Sequence, residues 1–80
     1  MSRDEIILKV QDVFRDVFDN EEITVSESTS ANDIEEWDSL TNIQLIVSIE
    51  HEFGIKFDSE EMTSWANVGE MVASIESKIA

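Results

Sequence analysis

Asp38-Ser39-Leu40-Thr41-Asn42-Ile43-Gln44-Leu45-Ile46-Val47-Ser48-Ile49-Glu50-His51-Glu52-Phe53-Gly54 contains no proline and only a terminal glycine, so it reads as one uninterrupted helix. Asp38 supplies the cap and Ser39 the first helical position, because a side-chain oxygen placed there takes up amide protons that a first turn leaves unpaired. Leu40, Ile43, Leu45, Ile46, Val47, Ile49 and Phe53 fill more than half of the circumference, which predicts a nearly central helix. The wholly polar sector is roughly 100° wide by helical-wheel geometry and holds Thr41, Gln44, Ser48, His51 and Glu52. Glu50 falls inside the apolar arc instead. Gly54 can take the left-handed conformation that closes a helix, with Ile55 folding back on the last turn, and Ile55-Lys56-Phe57 then alternates as a short extended connector.

Outward from this segment, the same capping logic places the other elements. Ser2 and Glu5 have capping-box spacing, and Ile6, Ile7, Val10, Val13, Phe14, Val17 and Phe18 follow on one helical face, so a first helix runs to about residue 18. Leu8 lies off that stripe as a single exposed apolar side chain. Residues 19–37 show no sustained period and are rich in serine, threonine, asparagine and aspartate, which bond locally to backbone. They form a long loop pinned by Ile23, Val25, Ile34 and Trp37. Asp58 and Glu61 open a short third helix carrying Met62 and Trp65. Asn67 and Glu70 open a fourth, with Val68, Met71, Val72, Ile75 and Ile79 on its apolar face. Gly69 in its first turn costs less than it would in mid-helix. The expected fold is an all-α, four-helix bundle with three long helices and one short, and a long loop between the first two. Its predicted core is Val10, Phe14, Leu40, Ile43, Val47, Phe53, Met62, Trp65, Val68, Val72 and Ile75.

Composition narrows what such a bundle does. Five basic and 19 acidic side chains among 80 residues leave a net charge of −14. No basic patch meets nucleic acid phosphates, and an anionic membrane surface is disfavoured for the same reason. No apolar run exceeds three residues, so neither a membrane span nor a signal peptide is read. The absence of cysteine removes disulfides, thiolate nucleophiles and zinc-thiolate sites together, and fits a cytoplasmic protein; a monomer is expected.

Ser39 has the one chemically unusual setting: a helix start, after an acid, at the end of a long loop. A helix N-terminus presents free amides and partial positive charge, which suit a phosphate esterified to that hydroxyl. By position alone, an ordinary N-terminal serine is the default. A serine hydrolase needs a base within hydrogen-bond reach, yet the sole histidine, His51, lies twelve positions along the same helix, roughly 18 Å away at 1.5 Å per residue. Asp33, Glu35, Glu36 and Asp38 lack the alternating ligands and central glycine of a calcium loop, so no metal site is read.

Trp37-Asp38-Ser39-Leu40, followed by Ile43, Leu45, Ile49, Glu50 and Phe53, closely resembles the acyl carrier protein family around its modified Asp-Ser-Leu motif. Ile55-Lys56-Phe57 resembles the family's exit from the second helix, and Asn67-Val68-Gly69-Glu70-Met71-Val72 the start of its fourth. The resemblance spans nearly the whole chain and implies one phosphopantetheine-attachment domain over residues 1–80 that catalyses nothing itself. It further implies that Ser39 receives 4′-phosphopantetheine from coenzyme A through a magnesium-using phosphopantetheinyl transferase. The arm's thiol then holds an acyl group as a thioester for acyl-activating, acyltransferase or synthase partners. By the same resemblance Asp38 helps the transferase place its metal and coenzyme A, and Leu40 contacts partners beside the arm.

Two departures shape the expectation. Where the family often has a glycine shortly before the motif, this chain has Glu35-Glu36-Trp37, a bulkier and more acidic approach in which Trp37 covers the arm's base or simply pins the loop. Members serving fatty acid synthesis usually display acids along the second helix, whereas here Thr41, Gln44 and His51 stand. Partners are therefore expected to read Glu35 and Glu36 on the loop side and an almost uncharged strip along the helix. Fatty acyl, polyketide, aminoacyl and sugar-modifying cargo all stay open, as does an acidic helical interaction module of the same fold that is never modified.

Overall fold

The computed structural model describes residues 2–79, with four α-helices, α1 (Arg3–Val17), α2 (Ser39–Phe53), α3 (Ser59–Ser64) and α4 (Val68–Ile79), and one turn of 3-10 helix, Ala31–Asp33, within the long loop. No strand occurs among the described residues. Ser2 Oγ accepts the Glu5 amide at 3.2 Å and also lies 3.1 Å from Glu5 Oε1, which starts α1. Gly54 closes α2 at φ 64°, and the Ile55 amide returns to the Glu50 carbonyl at 3.0 Å. Asp58 and Glu61 cap α3 reciprocally. Asn67 Oδ1 accepts the Glu70 amide at 3.0 Å at the head of α4, while the Glu70 carboxylate accepts the Ala66 amide.

α1 packs against both α2 and α4. The core gathers Ile6, Val10 and Phe14 from α1, Leu45, Ile46 and Ile49 from α2, and Val68, Met71, Val72 and Ile75 from α4. The loop between α1 and α2 closes one end by burying Ile23, Val25 and Ile34. Its backbone is held as firmly as its side chains: Arg15 Nε donates to the Ile23 carbonyl at 2.7 Å, and the Val68 and Gly69 amides donate to the Thr29 and Glu27 carbonyls, each at 2.8 Å. This contact explains Gly69 better than its tolerance in a first turn does. A Cβ there would stand 2.8 Å from the Glu27 carbonyl oxygen, so only glycine lets the loop approach.

Two expectations about the core are corrected. Leu40, Ile43 and Val47 are 69, 62 and 58% exposed, not core. A helix packed on one side buries one stripe, and Leu45, Ile46 and Ile49 occupy it, so α2 flanks α1 instead of running through the centre. Phe53, Met62 and Trp65 are half-buried against the core rather than inside it. Glu50, which looked misplaced in the apolar arc, accepts the Phe57 amide at 2.8 Å through Oε2 and ties the connector to the helix. Other expectations hold: Leu8 is 60% exposed, and Val10, Phe14, Val68, Val72 and Ile75 are fully buried.

Candidate functional site

The loop delivers Ser39 to the surface through a locked turn. Trp37 sets its edge against Phe14, ring centroids 5.0 Å apart, and its Nε1 donates to Asn42 Oδ1 at 2.8 Å. Glu36 accepts from Asn20 Nδ2 at 2.9 Å, which holds its carboxyl below the usual range. Asp38 Oδ1 accepts the Leu40 and Thr41 amides, both at 2.9 Å, while Thr41 Oγ1 accepts the Asp38 amide at 2.8 Å and donates to the Glu36 carbonyl at 2.8 Å. These bonds, the Thr41 amide first, hold the Asp38 carboxyl below its ordinary value and therefore ionised near neutral pH.

Ser39 is exposed, and neither its hydroxyl nor its amide has a protein partner among the described residues. The helix start is thus less open to a phosphate than position alone suggested. The Leu40, Thr41 and Asn42 amides already bond to Asp38, leaving only the Ser39 amide free in that turn. What the setting does offer is a freely accessible hydroxyl beside a fixed carboxylate whose Oδ2 is unengaged among the described residues.

Beside Ser39 runs a groove of about 290 Å³ between the start of α2, α3 and the head of α4, lined by Trp37, Asn42, Met62, Trp65, Asn67 and Met71 among others. Trp65 is fixed by its Nε1 bond to Ser74 Oγ at 3.0 Å and by edge contact with Phe57 at 4.8 Å. Sequence reading placed Met62 and Trp65 in the core, gave Asn67 only the opening of the fourth helix and assigned no role to Asn42. No local pattern marks a groove assembled from three separate segments.

The other residues singled out from sequence do not form one strip. Thr41 is committed to the cap, and Ser48 is half-buried. Glu52 lies 3.8 Å from Lys9 Nζ. The exposed surface running from Ser39 along α2 is instead Leu40, Ile43, Gln44, Val47 and His51, apolar and uncharged. His51 borders a second hollow with Asp12, Asp16, Val47 and Glu52, which does not include Ser39. Glu35 is exposed in front of the motif. Among the described residues no three acids or histidines converge as a metal site, and no helix is long and apolar enough to cross a membrane.

Residues 8–75 match the family described as a phosphopantetheine attachment site. The chain belongs to the acyl carrier protein family. It is 33% identical over 78 residues to an acyl carrier protein of Thermotoga maritima, covering 98% of this chain and 96% of that one. An acyl carrier protein homolog of Mycoplasma genitalium is 30% identical over 82 residues, covering 100% of this chain and 95% of its own. The solution structure of a holo acyl carrier protein from Geobacter metallireducens superposes with a TM-score of 0.87 at 39% identity, over 92% of this chain and 85% of that one. The chain is accordingly a carrier with a phosphopantetheine-attachment domain, not a catalyst, and an unmodified module of the same fold is not favoured.

The residues present suit that group. The exposed Ser39 presents an accessible primary hydroxyl, and the adjoining groove, apolar with a few polar atoms, has room for a slender chain.

Proposed function

We propose that residues 1–80 act as one carrier domain in which Ser39 bears 4′-phosphopantetheine and presents acyl groups as thioesters to partner enzymes. The observation that carries this is the exposed, unpartnered Ser39 hydroxyl at the first position of α2, directly after the fixed Asp38 carboxylate. In the loading step the Ser39 oxygen bonds to the pantetheine-side phosphorus of coenzyme A and the pyrophosphate P–O bond breaks. Adenosine 3′,5′-bisphosphate leaves, and the hydroxyl proton passes to the transferase. To the Oδ2 of Asp38, unengaged among the described residues, we assign help in positioning the transferase's magnesium. When bound, the group supplies a thiol, and through it the activated thioester, that a chain without cysteine lacks.

Around the serine, this chain's residues hold a landing surface. Leu40, Ile43 and Val47 form an exposed apolar column at i, i+3 and i+7 from Leu40, and such a column on a small protein marks a docking surface. We assign it to the transferase and to the acyl-activating, acyltransferase or synthase partners, with Glu35, Trp37, Gln44 and His51 at its borders. Glu36 and Thr41, considered for partner contact from sequence, serve here by shaping the turn. Coenzyme A, the donor, is used inside the cell, which supports cytoplasmic residence. The test is intact mass after incubation with coenzyme A, magnesium and a broad-specificity phosphopantetheinyl transferase. One added phosphopantetheinyl group on the wild type and none on Ser39→Ala is the expected result; no addition to the wild type by several transferases would overturn the reading.

A further inference from the structure

Asn20 uses all four of its polar atoms. Its amide donates to the Arg15 carbonyl at 3.0 Å and the Asp19 amide to the Asp16 carbonyl at 3.4 Å, the pair of bonds that ends a helix on a left-handed residue, here Asp19 at φ 50°. Its carbonyl accepts the Ile23 amide at 3.4 Å, and its Oδ1 accepts the Glu22 amide at 3.0 Å, a turn that a short amide side chain makes with the backbone two residues on. Because a backbone amide only donates, the side-chain oxygen is committed to Glu22. The NH2 group is turned to the Glu36 carboxylate, which it meets at 2.9 Å across 16 positions of sequence. Closing α1 does not require this last bond.

Glu36 is thereby gripped twice. Its carboxylate is held by the turn that follows α1, and its carbonyl accepts Thr41 Oγ1 at 2.8 Å, the same hydroxyl that accepts the Asp38 amide at 2.8 Å. A path of hydrogen bonds thus runs from Asn20 through Glu36 and Thr41 to Asp38, and Ser39 lies between the last two. Trp37, between Glu36 and Asp38, is seated edge-on against Phe14 in the last turn of α1, ring centroids 5.0 Å apart. Glu35, Glu36 and Asp38 crowd together in a chain of net charge −14, so a Glu36 side chain released from Asn20 is pushed away from its neighbours and loosens the carbonyl that Thr41 needs. We infer that Asn20 is a positioning residue for the loading of Ser39: its NH2 group, acting through Glu36 and Thr41, sets the relation of the Ser39 hydroxyl to the Asp38 carboxylate that the transferase receives. The inference rests on the proposed attachment at Ser39. Misplacing a nucleophile slows the chemical step, whereas losing a docking contact weakens binding, so the effect of Asn20 falls on kcat and not on KM.

The test measures loading of the full chain by a broad-specificity phosphopantetheinyl transferase with saturating coenzyme A and magnesium, the carrier concentration being varied, at a temperature well below the melting point of every variant. Asn20→Asp keeps the oxygen that Glu22 needs but sets a carboxylate against Glu36. Glu36→Ala removes the acceptor and leaves Asn20 and the end of α1 untouched, so it serves even if the first variant folds poorly. The exchange Asn20→Asp with Glu36→Gln reverses donor and acceptor, keeps the net charge and restores the bond. Both single variants should lose about five- to tenfold in kcat with KM within about twofold of the wild type, and the exchange should bring kcat back to within about twofold. In ¹H–¹⁵N spectra of the unloaded chain, the Ser39 and Thr41 amide signals should move in the single variants and return in the exchange. A wild-type kcat in both single variants would overturn the inference while leaving attachment at Ser39 intact. A loss that the exchange does not restore would show that the Asn20 to Glu36 bond is not its cause, and would overturn it equally. Failure of the wild type to load would instead count against the carrier reading, and the inference would fall with it.

Discussion

Asp38 and Thr41 cap each other: the Thr41 amide donates to Asp38 Oδ1 at 2.9 Å, and the Asp38 amide donates to Thr41 Oγ1 at 2.8 Å. This exchange fixes the entry of α2 and therefore the position of the serine between them. It also makes the cap sensitive to acid. Because folding lowers the Asp38 pKa, the unfolded chain binds its proton first, and the stabilisation is full above the unfolded value of about 4 and lost as pH falls through the folded value. Glu36, lowered mainly by Asn20, acts in the same direction.

Asp38→Asn keeps an oxygen for the cap but removes the titration. Its melting temperature should fall less than that of the wild type between about pH 5 and pH 2, which thermal unfolding at a series of pH values measures. Parallel curves would show that Asp38 does not contribute to the acid response.

The two sides of α2 should respond oppositely to truncation. Leu45, fully buried, should lose about 2–5 kcal/mol on substitution by alanine, whereas Ile43→Ser, on a side chain 62% exposed, should stay within about 0.5 kcal/mol of the wild type. Urea unfolding of both variants checks this. Under the proposed docking role, Ile43→Ser should raise the transferase's KM without a matching fall in kcat.

Gly69→Ala offers a sign test. Helix propensity alone favours alanine by about 1 kcal/mol, but a Cβ at 2.8 Å from the Glu27 carbonyl forces the loop away and should cost about 1–3 kcal/mol. Net destabilisation is expected; a more stable variant would mean that the loop yields freely.

Much of this fold is legible locally. Ser2, Asp38, Gly54, Asp58 and Asn67 mark helix ends through bonds that span only a few residues, and the structure places every one of those ends as the spacing implies. The burial of α2 is not legible in the same way, since Leu40, Ile43 and Val47 are as apolar as Leu45, Ile46 and Ile49. Only contact with α1 decides which stripe is covered. The same holds for the site. Ser39 and Asp38 stand out as neighbours in sequence, while the groove requires Trp37, Trp65 and Asn67 to be brought together by the packing of α3 and α4. Gly69 and Glu50 belong to this second class, because their roles depend on the Glu27 carbonyl and the Phe57 amide.

Nineteen acids on so small a domain repel one another, and the ion pairs of Arg3 with Glu27 and Glu76, and of Lys78 with Glu61, offset only part of this. Melting temperature should therefore rise between low and moderate salt as screening increases. Calorimetry at several sodium chloride concentrations checks it, and a flat or falling trend would contradict the charge argument.

The most direct test of the central claim is to locate the added group within the loaded chain. Cleavage after glutamate releases a fragment from Trp37 to Glu50 that contains Ser39 and Ser48, and tandem mass spectrometry of that fragment assigns the modification between them. The account predicts the phosphopantetheinyl group on Ser39 alone, with Ser48 and the remaining serines unmodified and Ser48→Ala loading as well as the wild type. A group on Ser48 or in any other fragment, or loading that persists in Ser39→Ala, would contradict it.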